Sequence, residues 1–273
     1  MSKLSKGITL GVLALTTGLL LAGCGKAEGK ALDTKKVTVG VTSGPHQELM
    51  EEVAKQAKKD GLEIKIKSFD DYNTPNTALN DGDLDANSYQ TIPFLDQQVK
   101  DKNYKIQKVF KTVAFPLGVY SKKIKSLDEL KAGDKVGVPN DPSNEYRALK
   151  LLQKAGVIKL KAGVEEKATK NDIAENPKKI EIVELEASQI PNQLGELSSA
   201  VINTNFAMGA GLTINKDSIY HEPLKNNPYP NVFVVRTENK DDKVVKELKK
   251  YYQSAETKKF IEKRFKGSVV PAF

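Results

Sequence analysis

Hydrophobic and polar positions along the chain switch repeatedly between two periods. Val37-Thr-Val-Gly-Val-Thr42 reads as a strand, and Leu49, Val53, Ala54 and Ala57 then recur at helical spacing until Gly61. Leu62-Glu-Ile-Lys-Ile-Lys67 alternates as a half-buried strand does. Strand, helix and strand of this length form a βαβ unit, which requires a parallel sheet and a right-handed crossover. Pro75 to Leu79 predicts a short helix, Leu84 to Tyr89 a strand running into a loop, and Ile92 to Val99 a helix. Lys105 to Val119 is a long β-like stretch broken at Phe115-Pro116, as expected of a strand leaving one lobe for another. Ser126 to Leu130 predicts one capped helical turn, and Lys159 to Asn176 a lysine-rich loop. Ile180 to Leu185 and Ser199 to Ile202 read as strands, with a helix between them from Ala187 to Leu197, interrupted near Pro191. Asn203 to Gly211 turns into a short helix, Asn231 to Arg236 returns as a strand, and two lysine-rich helices finish the chain.

Helices and strands alternate throughout, so the fold class is α/β. The two long β stretches, Lys105–Val119 and Asn231–Arg236, bracket a self-contained α/β block. They predict two lobes joined by two crossovers, lobe 1 from residues 37–114 and 232–273 and lobe 2 from 115–231, with a cleft between. Ligands in such open sheets bind beyond the carboxyl ends of the strands. Polar clusters gather there: Asp71-Tyr72, Asn87 to Thr91, Asn144 with Arg147, Asn203-Thr-Asn205, and Asn231. They are rich in Asn, Tyr and Thr and poor in catalytic groups, which points to binding.

The most informative cluster runs from Asn140 to Leu149. Lys135-Val-Gly-Val138 reads as a buried strand ending at Pro139, Asp141 fits an N-cap and Pro142 the first helical position. Ala148, Leu151, Leu152 and Ala155 then form an apolar stripe that Gly156 closes. Such a helix start aims unpaired N–H groups and a positive dipole end at one point. Arg147 lies one turn in. Of 43 Lys and Arg residues only Arg147, Arg236 and Arg264 are Arg, so an Arg here suggests a planar fork gripping a carboxylate. An Arg facing a wet, open cleft is expected to matter for ligand affinity and little for stability.

The N-terminus adds a location. Lys3 and Lys6 precede an uncharged run from Gly7 to Gly23, and Leu21-Ala-Gly-Cys24 ends it. A basic start, a short apolar core and small residues before the cut describe a signal peptide over residues 1–23, too short to span a bilayer. Residues 24–36 read as a flexible polar tether. The net charge is +8, with lysines and acids interspersed and no arginine-rich aromatic patch, which speaks against nucleic-acid binding. Cys24 is the one cysteine, so disulfides are excluded, and only His46 and His221 supply imidazoles, so no metal site is expected. Asp81-x-Asp83-x-Asp85-x-Asn87 mimics half a calcium loop, but Ala86 replaces the required Gly and Ile92 the bidentate Glu. It reads as a turn with its acids in solvent. No nucleophile elbow, P-loop or dinucleotide fingerprint is present, so no enzyme activity and no cofactor are expected.

Longer motifs carry a resemblance. Phe69-Asp-Asp-Tyr-Asn-Thr-Pro-Asn-Thr-Ala-Leu79, Gly82-Asp-Leu-Asp-Ala-Asn-Ser-Tyr-Gln-Thr-Ile-Pro-Phe94, Val138-Pro-Asn-Asp-Pro-Ser-Asn-Glu-Tyr-Arg-Ala-Leu149, Ala200-Val-Ile-Asn-Thr-Asn205 and Tyr229-Pro-Asn231 resemble the methionine-binding lipoproteins of ABC importers. The likeness runs from Val37 to the C-terminus, and Leu-Ala-Gly-Cys24 resembles the bacterial lipobox. It implies a two-lobed, type II periplasmic-binding-protein-like fold. It also implies lipidation at Cys24, anchoring on the outer side of the cell membrane, and delivery of methionine to a permease and its ATPase. The ligand shell it implies is Tyr72, Tyr89, Thr91, Phe94, Asn144, Arg147, Asn203 and Asn231. Arg147 would bind the α-carboxylate, Asn203 and Asn231 the amino-acid backbone, and the aromatic residues the thioether. The family usually has His where this chain has Thr91 and Phe where it has Tyr89; the smaller, hydroxyl-bearing Thr91 enlarges that wall and removes an imidazole. A methionine derivative, a short methionine-containing peptide or another apolar amino acid therefore stays open, as does an adhesin or scaffold role, which would need no buried Arg147.

Overall fold

The computed structural model describes residues 31–164 and 167–273; the signal peptide and Cys24 lie outside them. The first lobe opens with strand β1 (Lys36–Thr42), helix α1 (Pro45–Lys59), β2 (Glu63–Phe69), α2 (Thr74–Asn80), β3 (Ala86–Thr91), α3 (Ile92–Lys102) and β4 (Ile106–Ala114). The chain then crosses to β5 (Gly118–Tyr120), β6 (Lys135–Pro139), α4 (Pro142–Lys154), β7 (Lys159–Leu160), β8 (Ile173–Glu175), β9 (Glu181–Leu185), α5 (Ile190–Gln193), β10 (Ser199–Ile202), α6 (Thr204–Gly209), α7 (Ile214–Asp217) and β11 (Ser218–His221). It returns as β12 (Pro230–Arg236) and ends with α8 (Lys243–Tyr252), α9 (Ala255–Phe265) and β13 (Val270–Pro271).

Two main sheets result, with strand orders β13-β4-β12-β3-β1-β2 and β11-β5-β10-β6-β9. In the first, β1 pairs parallel with β2 and β3, and the returning β12 lies antiparallel between β3 and β4. In the second, β6 pairs parallel with β9 and β10, and β5 lies antiparallel to β10. The apolar faces predicted by periodicity are the ones buried. Val37, Val39 and Val41 of β1 pack with Leu49, Met50 and Val53 of α1 and with Val244, Leu248 and Ile261 of the last two helices. Val136 and Val138 of β6 pack with Ala148, Leu149 and Leu152 of α4.

The long β-like stretch from Lys105 is two strands in different sheets, because Phe115-Pro116-Leu117 turns the chain from β4 into β5. Three local expectations are corrected. The helix expected over Ala187–Leu197 shrinks to α5; Glu186 accepts from the amide and hydroxyl of Ser188, which holds the start in a turn. The expected loop from Lys159 contains the β7–β8 pair and a capped 3-10 turn at Lys170–Asp172. The calcium-like run does not leave all its acids in solvent: the Asp85 carboxylate accepts the Thr38 amide at 2.7 Å, and Asn87 is buried beneath Asn76 and Gln90.

Candidate ligand-binding site

The site is built around the start of α4. Asp141 caps it, its Oδ1 accepting the Asn144 amide at 2.9 Å, and Pro142 occupies the first turn. Because Ala148, Leu151 and Leu152 bury one stripe of the helix in the second lobe, Asn144 and Arg147 are carried to the face between the lobes. Arg147 is only 4% exposed. Its Nε and Nη2 donate to the two carboxylate oxygens of Glu222 at 2.8 and 2.6 Å, and Nη2 also donates to the Phe115 carbonyl. The guanidinium stacks on Tyr229, 4.2 Å from the ring centroid.

This corrects the expectation that Arg147 faces an open, wet cleft. The planar fork is present, but Glu222 of the same chain takes it. Burial would raise the Glu222 carboxyl; the Arg147 charge and hydrogen bonds from Arg147, the Leu117 amide and Asn227 outweigh it and hold Glu222 below its ordinary range. Among the described residues, Nη1 is the guanidinium nitrogen with no hydrogen bond. It is what Arg147 can offer a ligand.

Arg147 lines a cavity together with His46, Tyr72, Tyr89, Gln90, Thr91, Phe94, Phe115, Asn144, Asn203, Thr204, Asn205 and Asn231. All eight residues singled out in the sequence meet there. Tyr72, Tyr89, Thr91, Phe94 and Asn231 come from the first lobe; Asn144, Arg147 and Asn203 come from the second. Thr91 caps α3, its Oγ1 lying 3.4 Å from the Phe94 amide.

Two short hydrogen-bond relays set the polarity of the wall. In the second lobe, Asn144 Nδ2 donates to both Asp141 oxygens at 3.0 Å, and Asn203 Nδ2 donates to Asn144 Oδ1 at 2.9 Å. Asn203 Oδ1 is then left buried without a hydrogen-bond partner among the described residues. In the first lobe, Asn231 Nδ2 lies 3.0 Å from His46 Nε2, and His46 Nδ1 lies 2.7 Å from Thr42 Oγ1. Burial lowers His46 to about 3, so the ring is neutral; with Nε2 accepting, Nδ1–H donates to Thr42. His46 also packs against Phe115 in a tilted arrangement, with centroids 4.3 Å apart.

An aromatic cluster closes the other side. Tyr72 lies 5.9 Å from Tyr89, 5.8 Å from Phe94 and 4.8 Å from Phe206, which reaches over from the second lobe. Tyr72 also bridges the lobes by donating to Asn205 Oδ1 at 2.6 Å, while Tyr89 donates to the Tyr72 carbonyl at 2.8 Å. That leaves Asn205 Nδ2 buried and unpartnered among the described residues. Burial pushes both phenols above their ordinary range, so they stay neutral donors.

Sequence reasoning missed His46, Phe115 and Glu222, and named Asn205 only within the Asn203-Thr-Asn205 cluster. Of the three, only His46 carried a signal, as a rare histidine at the start of a helix. Glu222 lies 75 residues from Arg147 in the chain, and nothing local marks it as a partner.

A profile of the NlpA lipoprotein family matches residues 37–273, which is both lobes. The chain belongs to the NlpA lipoprotein family. Among NlpA relatives, the D-methionine-binding lipoprotein MetQ of Salmonella typhi is 50% identical over 260 residues, covering 94% of each chain. MetQ of Escherichia coli K12 is 48% identical over the same length and coverage. A nutrient-binding protein of Burkholderia cenocepacia, solved bound to methionine, superposes with a TM-score of 0.85 at 53% identity, covering 87% of this chain and all of that one. These likenesses agree with the NlpA-type two-lobed fold described above.

Proposed function

We propose that this chain is the lipid-anchored solute-binding protein of an ABC importer, taking methionine or a close derivative between its lobes and delivering it to the permease and ATPase. The observation that carries the reading is a set of polar atoms on cavity-lining side chains that have no hydrogen bond among the described residues: an amide oxygen on Asn203, an amide nitrogen on Asn205 and a guanidinium nitrogen on Arg147, beside an aromatic wall. A zwitterion with an apolar side chain complements them. Its ammonium donates to Asn203 Oδ1, its carboxylate accepts from Arg147 Nη1 and Asn205 Nδ2, and its thioether lies against Tyr72, Tyr89 and Phe94. Residues 37–114 with 232–273, and residues 115–231, close over it as two lobes.

Titration calorimetry of the mature chain against L- and D-methionine and against other apolar amino acids tests the ligand. Heat and a raised unfolding temperature with methionine are expected; no response to methionine, with a response to another class of solute, defeats the reading. Cys24→Ser is expected to leave affinity unchanged and to release the protein from membranes. Retention of that variant in the membrane fraction after a salt wash would remove the lipid anchor from the proposal.

A further inference from the structure

We infer that Asp141, which does not line the cavity, is a positioning residue that makes the site select a ligand with an amino group. The inference rests on the methionine reading above and explains how the wall came to hold a bare carbonyl oxygen. A carboxylate can only accept hydrogen bonds. Asp141 has both oxygens 3.0 Å from Asn144 Nδ2, so that amide has one orientation. Its Oδ1 is thereby presented to Asn203, which must turn its own Nδ2 toward it, at 2.9 Å. The last atom in the relay, Asn203 Oδ1, is left as a buried acceptor with no partner among the described residues, on a side chain that lines the cavity. One fixed charge thus sets the direction of two side-chain amides, each of which could otherwise lie either way.

A carboxamide at position 141 breaks that logic. Its oxygen can keep the Asn144 amide, so the helix stays capped, since Asn caps about as well as Asp. Its nitrogen, however, would replace Oδ2 and meet Asn144 Nδ2 as donor against donor. The Asn144 amide then meets one oxygen and one nitrogen, so neither of its orientations is imposed; in the flipped one it presents Nδ2 to Asn203, which flips in turn and shows the cavity a donor. A ligand ammonium then meets an N–H group where it had an oxygen.

The experiment measures affinity of wild type and Asp141→Asn for two probes: L-methionine, and its des-amino analogue that keeps the carboxylate and thioether. Methionine affinity should fall by about tenfold or more, the scale of one hydrogen bond to a charged group, while the des-amino analogue should change by less than about threefold. Asn144→Leu, which cuts the relay while leaving Asp141 in place, should show the same preference. In an Asn203→Ala background, Asp141→Asn should cost little further affinity. An equal loss for both probes, or an undiminished loss without Asn203, overturns the relay and assigns Asp141 a structural or through-space role. Failure of wild type to bind methionine at all would instead defeat the functional reading on which the relay rests.

Discussion

The two lobes solve one problem with different residues. Each sheet has a parallel trio, β2-β1-β3 or β9-β6-β10, flanked by an antiparallel strand that carries the chain across the cleft. Each central strand has a glycine against its neighbours: a β-carbon at Gly40 would lie 2.4 Å from Leu84 Cδ1, and one at Gly137 would lie 2.6 Å from Leu197 Cδ1. Each central strand leads into a helix with proline in its opening turn. There the likeness stops. Gly44, at φ +82°, starts α1 without a side-chain cap, and the buried polar group behind the wall is the neutral His46. Asp141 caps α4 with a charge. Both relays nonetheless use up the Nδ2 of a cavity asparagine, Asn231 or Asn203. What is shared is the polarity of the wall; the side chains that impose it are free to differ.

The largest test of this comparison is on the charged lobe. Glu222→Ala leaves the buried Arg147 guanidinium without its counter-ion, and stability should fall by about 3–5 kcal/mol. Denaturant unfolding without ligand reads this directly. A loss below about 1 kcal/mol would return Arg147 to the open cleft that its sequence suggested. His46→Leu breaks the neutral relay instead. It frees the Asn231 amide to turn, and methionine affinity should drop about tenfold, the scale of one hydrogen bond to a charged group. Calorimetry giving wild-type affinity would mean that Asn231 needs no orienting partner.

Acid should separate the relays further. His46 is lowered from an ordinary 6.5 to about 3 by burial, so its contribution to stability is complete above pH 6.5 and is lost as pH falls toward 3. Glu145 acts in the opposite sense. Burial, with Glu184 alongside, pushes its carboxyl from an ordinary 4.5 up to about 7, so it favours folding below 4.5 and loses that contribution as pH rises through 7. Unfolding measured across this range should show an acid-side slope in wild type that His46→Leu flattens. An identical slope in the variant would assign the acid lability to other groups. The smallest expected effect is at the rim: Thr91→His should move the ranking of methionine over larger analogues by only about a few-fold, the value of a modest pocket contact. An unchanged ranking in competition assays would take Thr91 out of specificity.

Most elements of both lobes were legible in the sequence because their cause is local. The apolar stripe of α4, its Asp-Pro start and the Val-rich β1 each depend on residues within one or two turns of one another. The break at Phe115-Pro116 was legible for the same reason, since Pro116 constrains the residue before it. The helix expected over Ala187–Leu197 failed where a competing local hydrogen bond, Ser188 to Glu186, held the chain in a turn that periodicity does not register. The β7–β8 pair failed because its strands are too short to carry an alternating pattern.

The sequence by itself determined the α/β class, the crossover from the first sheet to the second, and which polar residues stand at strand ends. Those follow from hydrophobic period, turn chemistry and the spacing of a few Asn, Tyr and Arg side chains. Only the tertiary structure decided what those side chains do to one another. Arg147 meets Glu222 across 75 residues of chain, and Asn203 meets Asn144 across 59. An amide or a guanidinium offers several hydrogen-bonding atoms, and its own sequence neighbours do not say which of them will be used up. Folding assigns partners to some of those atoms, and the ones left over on the cavity-lining side chains are those available to a ligand.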